Sequence, residues 1–213
     1  MGRKPRWSRR KDDRPAEIIS AAMDVFAEKG FASAKLDEIA DRAGVAKGTL
    51  YRYFATKDEV FRSVVQNALA ARVEEIEKAA SAFEGSFVEF VPILLKRAAN
   101  RFGDDRLPAI ARMVLAESRA FPDLAIIWHD ALVARMLGTL ANMITKAQAR
   151  GEVRPGDPKL YAFSILGPMF TGALFNEVFG DRRGTTPNLD KLAGQHAQTI
   201  LHGLLTPLSN KKA

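Results

Sequence analysis

The chain predicts an all-α protein of about nine helices. Three observations carry that expectation. The helix formers Ala, Leu, Glu, Lys and Arg dominate, and no alternating β-branched run marks a strand. Apolar residues recur at helical spacing, as in Ile18, Ile19, Ala22, Val25 and Phe26. Glycines and prolines fall mostly where those periodic stretches begin or end.

In chain order, Asp13-Arg14-Pro15 opens the first helix with a capping residue and an early-turn proline, and Gly30 stops it. A short helix over 36–43 ends at Gly44, and another covers 46–53. Thr56-Lys57-Asp58-Glu59 reads as a capping box, Thr56 accepting the amide three residues on and Glu59 reaching back. It opens one long helix as far as Ala80. Longer helices follow over 86–102, with Pro92 near the start or kinking it, and over 107–120. The longest runs from Pro122 to Arg150, before Gly151. The last two start at Asp157-Pro158, with Gly167-Pro168 as a kink, and at Thr186-Pro187. This gives four regions: a basic arm (1–13), a three-helix head (14–57), a six-helix body (58–206) and a short tail (207–213).

Composition excludes several classes. With 47% hydrophobic residues the chain can build a core, and with no cysteine it has no disulfide, thiolate metal site or cysteine nucleophile. That suits the cytoplasm. The best membrane candidate, 160–179, is interrupted by Gly167, Pro168, Asn176 and Glu177, so no membrane association is expected. Of the net charge of +7, +5 sits in residues 1–14, where seven Lys and Arg face two Asp. A clustered basic arm suits a polyanion, and Arg6, Arg9 and Arg10 are its candidate contacts; a solvated tail is the plainer alternative.

The most informative stretch runs from Ile39 to Phe54. Two short helices that cross steeply need a small residue where they touch, here Ala40, and a turn residue tolerant of positive φ, here Gly44. Ile39, Val45 and Leu50 fall where a helix-turn-helix buries its small core. Lys47, Gly48, Thr49, Tyr51 and Arg52 fall at the exposed start of the second helix, the part that enters a major groove. An ordinary helical hairpin does not account for an exposed, acid-free stretch from Val45 to Lys57 rich in Lys, Thr, Tyr and Arg. The partner implied is double-stranded DNA.

From Ile18 to Phe61 the chain resembles the tetracycline-repressor (TetR) family of regulators. The match runs through Phe26-Ala27-Glu28-Lys29-Gly30-Phe31, Leu36-Asp37-Glu38-Ile39-Ala40, Ala43-Gly44-Val45, Lys47-Gly48-Thr49-Leu50-Tyr51-Arg52-Tyr53-Phe54 and Lys57-Asp58-Glu59-Val60-Phe61. The resemblance implies a homodimer that places two recognition helices on operator DNA and a C-terminal domain that binds a small-molecule effector. It implies DNA-facing roles for Lys47, Gly48, Thr49 and Tyr51, phosphate contacts for Tyr53 and Lys57, and a minor-groove arm. The family commonly has Thr or Ser just before the second helix; here Lys35 stands there, unable to accept the capping amide but able to meet a phosphate, and Ser33 is the alternative cap.

The C-terminal half resembles the body of the AefR-like TetR regulators around 112–124 and 151–158. An effector pocket there is expected to be apolar with few polar anchors, and Phe87, Phe90, Met113, Glu117, Phe121, Trp128 and Phe170 are its candidates. The same residue types at helical spacing equally suit core packing. Phe163, Leu166, Phe170, Leu174 and Val178 suit a dimer face, as do Leu189, Leu192, His196, Thr199 and His202. His196 and His202 are six apart, and no His, Asp or Glu cluster has metal-ligand spacing. No phosphate-cradling or nucleophile motif is present, so no cofactor, metal or catalysis is expected. The functional expectation is a repressor released by a small hydrophobic ligand; the alternative is an architectural DNA-binding protein without ligand control.

Overall fold

The computed structural model describes residues 14–66, 71–103, 106–180, 184 and 186–205. Asp13 and the arm residues Arg6, Arg9 and Arg10 lie outside the described residues. All regular structure described is helical, apart from one isolated bridge between Val153 and Leu205. Packing divides the chain into two compact units: Met1–Glu74 with Ala109–Val133, and Glu75–Pro108 with Ala134–Ala213.

In the first unit, α1 (Arg14–Ser33) buries Ile18, Ala22, Val25 and Phe26 on one side. Gly30 breaks it at φ 80, ψ 171, a conformation that only glycine adopts without strain. Then come α2 (Leu36–Arg42) and α3 (Lys47–Tyr53), joined by a turn in which Gly44 takes φ 65 and the Val45 amide donates to the Ala40 carbonyl at 3.0 Å. Ile39, Ala40 and Leu50 are fully buried, whereas Val45, the third core position expected from the sequence, is only half-buried. No side chain caps α2; its cap position, Lys35, is simply extended. Ahead of α4 (Lys57–Ser63), Thr56 accepts the Glu59 amide at 3.2 Å, while Glu59 reaches one residue further back than expected, to the Ala55 amide at 2.7 Å.

The expected single α-helix from Thr56 to Ala80 does not form. After α4, residues 64–66 widen into a π turn, where hydrogen bonding shifts to i→i+5. α-Helix is next described as α5 (Ala71–Ser81). A π turn likewise interrupts the longest helix: α8 (Pro122–Trp128) passes through His129–Val133 into α9 (Ala134–Ala149). Between α5 and α8 lie α6 (Phe87–Phe102), opened by a complete Ser86–Glu89 capping box, and α7 (Arg106–Glu117).

In the second unit α6 packs against α11 (Leu189–Leu204) and α9 against α10 (Pro158–Phe179). Val91, Leu95, Ile144, Ala162, Ile165 and Met169 are fully buried in its core. Two helices, Pro122–Ala149 and Pro158–Phe179, have the length and mean hydropathy to cross a bilayer, despite the interruptions noted in the sequence. Only 28% of the most apolar 18-residue window of the second is buried, which leaves an apolar side exposed.

Candidate nucleic-acid interface and apolar cavity

α3 presents two faces because of its period. Leu50 points into the head and is fully buried, whereas Lys47, Gly48, Tyr51 and Arg52 are exposed and Thr49 and Tyr53 half-buried. Tyr51 keeps half of its surface in water, unusual for a large aromatic with an apolar core beside it. The Arg52 guanidinium lies 5.2 Å from the Tyr53 ring centre. Lys47 Nζ pairs with Asp37 Oδ2 at 2.6 Å, and that hydrogen bond raises its pKa. Asp37 is a partner that the DNA-facing reading of Lys47 did not anticipate. Lys35 is exposed at the head of α2. The structure thus places six sequence-selected residues on α3 and a seventh, Lys35, immediately ahead of α2.

Lys57 is different. Its ammonium donates to the carbonyls of Phe31 at 2.5 Å, Ala32 at 3.0 Å and Ala34 at 3.1 Å, and lies 4.6 Å from the Phe31 ring centre. An ammonium has three protons, and all three are taken. Burial lowers the Lys57 pKa, opposed by the charges of Glu117 and Asp58. In this arrangement the lysine ties α4 to residues 31–34, partners that the family position did not suggest.

Glu117 is likewise engaged within the unit: its Oε1 accepts the Phe31 amide at 2.9 Å and its Oε2 the Ala32 amide at 2.6 Å. Phe121 packs edge-on against Phe31 with centroids 5.0 Å apart, and Phe31 in turn meets Phe26 and Phe61. Met113 and Trp128 are buried in this same first unit. Glu117 and Phe121 therefore pack against the end of α1, and all four pocket candidates lie outside the second unit.

The second unit holds a small apolar cavity of about 20 Å³. Ile76 and Ala80 come from α5, Phe90 and Leu94 from α6, Met136, Thr139, Leu140 and Met143 from α9, and Leu166 from α10. Thr139 supplies its one hydroxyl. Of the sequence candidates only Phe90 lines it; Phe87 sits in the core, its amide held by Glu152 Oε2 at 2.6 Å, and Phe170 packs on Phe102 at 6.4 Å. The missed lining had a legible trace: Met136, Thr139, Leu140 and Met143 follow i, i+3, i+4, i+7 with a hydroxyl in mid-stripe. Next to this wall Arg135 makes a bidentate pair with Glu77, Nε to Oε1 at 3.0 Å and Nη2 to Oε2 at 2.6 Å, joining α9 to α5. Among the described residues no His, Asp or Glu group could hold a metal.

A sequence model of bacterial regulatory proteins of the tetR family matches residues 18–64, and one of the tetracyclin repressor-like C-terminal domain matches 83–182. The chain belongs to the TetR family. As a TetR protein it is a DNA-binding transcriptional regulator. The fatty acid metabolism regulator protein of Bacillus subtilis is 27% identical over 160 residues, 74% of this chain and 81% of its own. A crystal structure of a TetR-family regulator of Mesorhizobium loti covers 95% of this chain and 100% of its own at TM-score 0.75 and 26% identity. FadR of Bacillus subtilis, solved with stearoyl-CoA, covers 88% and 98% at TM-score 0.75 and 24% identity, a likeness of fold. The TetR match to residues 18–64 frames the helix-turn-helix described above; the match to 83–182 contains most of the cavity walls.

Proposed function

We propose that this TetR regulator is a homodimeric repressor that occupies operator DNA through α3 and is released when an elongated apolar molecule enters the cavity of its second unit. The observation that carries the effector class is the wall itself: eight apolar residues and a single hydroxyl, with no acid, base or cation among them. Such a surface recognises hydrocarbon and leaves one hydrogen bond for orientation. The action is binding without turnover, in the cytoplasm. Two relatives lend support to a fatty-acyl effector: the Bacillus subtilis fatty acid metabolism regulator, and the FadR structure that holds stearoyl-CoA.

The exposed side of α10 supports the dimer. Leu160, Phe163, Gly167, Thr171, Phe175 and Val178 share one face, and Leu160 and Phe163 are 67% and 65% exposed. Large apolar ends flank a small-residue middle, which lets a second helix approach closely. DNA contacts are assigned to Lys35, Lys47, Gly48, Thr49, Tyr51, Arg52 and Tyr53, with Arg6, Arg9 and Arg10 of the arm alongside.

The test is a thermal-shift panel of saturated fatty acids and their CoA thioesters from eight to eighteen carbons, followed by titration of operator binding. A ligand at 100 times its dissociation constant stabilises the fold by about 2.7 kcal/mol. A stabilising acyl compound must also lower DNA affinity. Stabilisation with unchanged DNA affinity would reject release by ligand, and no stabilisation across the panel would reject the acyl class.

A further inference from the structure

We propose that Glu117 is a positioning residue for operator recognition: its carboxylate clamps the Gly30–Ala32 turn and so sets the pose of the helix-turn-helix against the end of α7. The turn is gripped at both poles of its peptide groups. The amides of Phe31 and Ala32 donate to the two Glu117 oxygens, at 2.9 and 2.6 Å, while the carbonyls of the same two residues accept from Lys57. Two parallel N–H donors aimed at two oxygens is an arrangement that a carboxylate alone among side chains satisfies. A glutamine in its place presents one oxygen and one NH₂, and the NH₂ meets an amide donor head-on.

Gly30 completes the clamp. Its backbone lies in the glycine-only region, and a Cβ there would collide with Glu117 Oε1. Arg112, a little earlier on α7, donates to the Ala27 carbonyl at 3.3 Å, so α7 meets both the last turn of α1 and the turn beyond it. The turn leads after three residues into α2, and α2 leads through Gly44 into α3. A head whose pose is unset still offers its basic surface to any duplex, but a regulator that must seat recognition helices in register reads its operator less well.

The experiment uses the full chain and three variants: Glu117→Gln, Glu117→Ala and Gly30→Ala. The wild-type protein first enriches a specific fragment from a random-sequence duplex library. Affinities are then measured for that fragment and for unselected duplex of equal length, well below the melting temperature. The expected result for Glu117→Gln is at least a tenfold loss on the enriched fragment with less than a twofold change on unselected duplex. Removing a negative charge by itself would strengthen both, so the loss runs against electrostatics. Amide exchange at Phe31 and Ala32 is expected to accelerate tenfold or more while Leu50, inside α3, stays protected, and this readout stands without DNA. Gly30→Ala gives the same pattern, and combining it with Glu117→Ala adds less than the two separate losses. Equal losses on both DNAs, unchanged affinity for the enriched fragment, or unchanged exchange at Phe31 and Ala32 each overturn the proposal. If Glu117→Ala fails to fold, the isosteric Glu117→Gln decides alone.

Discussion

Lys57 separates what a residue type suggests from what its surroundings make of it. A lysine at the first position of a helix after an acid-free recognition segment reads as a phosphate contact, and nothing in the neighbouring sequence contradicts that. The contradiction comes from residues 23 to 26 positions away, whose carbonyls consume the ammonium. Long-range partners of this kind leave no local trace, and the two amides that Glu117 accepts, 85 and 86 positions away, are equally invisible in the sequence. Lys57→Ala is expected to destabilise the head by about 1–3 kcal/mol, because three carbonyls lose a charged donor, while leaving the salt dependence of DNA binding unchanged. Calorimetric melting and a salt titration check the two halves. A salt slope reduced by roughly 1.8, the value for two lost phosphate contacts per dimer, would return the lysine to the DNA. By contrast Ile39, Ala40, Gly44 and Leu50 were legible one by one. Each answers a purely local demand: a buried face, a close crossing, or a positive φ.

At the scale of elements, ends were easier to read than continuity. Gly30, Gly44 and Gly151 stop their helices with positive φ where the sequence places them, and Asp157-Pro158 opens α10 with the Asp157 side chain accepting the Lys159 amide at 2.8 Å. The π turns at 64–66 and His129–Val133 contain no Gly or Pro, so no residue announces them. The cavity was illegible for a related reason, since an apolar residue facing a void and one facing a neighbour carry the same side chain. Glu152 shows an element junction with a measurable consequence. It caps the start of α6 through the Phe87 amide and pairs with Arg150 at 2.5 Å, and the Arg150 hydrogen bond foremost holds its pKa below the usual range. A carboxylate depressed in the fold contributes stability that is complete above its unfolded value of about 4.3 and is lost as pH falls through the lower folded value. The fold is therefore expected to weaken below about pH 4.3 in part through this group. Glu152→Gln should flatten that limb of a pH–melting curve and cost stability at neutral pH. An unchanged acid limb would show that the junction does not titrate.

At the scale of the whole molecule, the proposed dimer rests on the exposed apolar face of α10. Replacing Phe163 with glutamate places two charges in the proposed interface and removes two buried rings. At about 1.5–3 kcal/mol per ring, the dimer dissociation constant should rise on the order of a hundredfold or more. Sedimentation over a concentration series measures this, and an unaltered dimer would move the interface elsewhere. A second whole-molecule matter is the size of the cavity. At about 20 Å³ it has room for roughly one water molecule and for no acyl chain. If the proposed effector binds here, this conformation is a closed one, and the effector must find or make an open one. Its apparent affinity is the intrinsic one multiplied by the open fraction: a 1% open population weakens binding about a hundredfold, or about 2.7 kcal/mol. Met143→Ala prepays part of that opening. The variant is expected to melt lower when empty, by about 2–5 kcal/mol of lost packing, yet to bind a medium-chain fatty acid more tightly and faster than wild type. Stopped-flow binding would reveal the same gate in the unaltered protein, as an association rate that levels off with ligand concentration at the rate of opening. On the proposed mechanism the threshold for induction would be set by the scarcity of an open state, and such a regulator could be tuned to a scarce or an abundant metabolite by repacking a wall that never touches DNA.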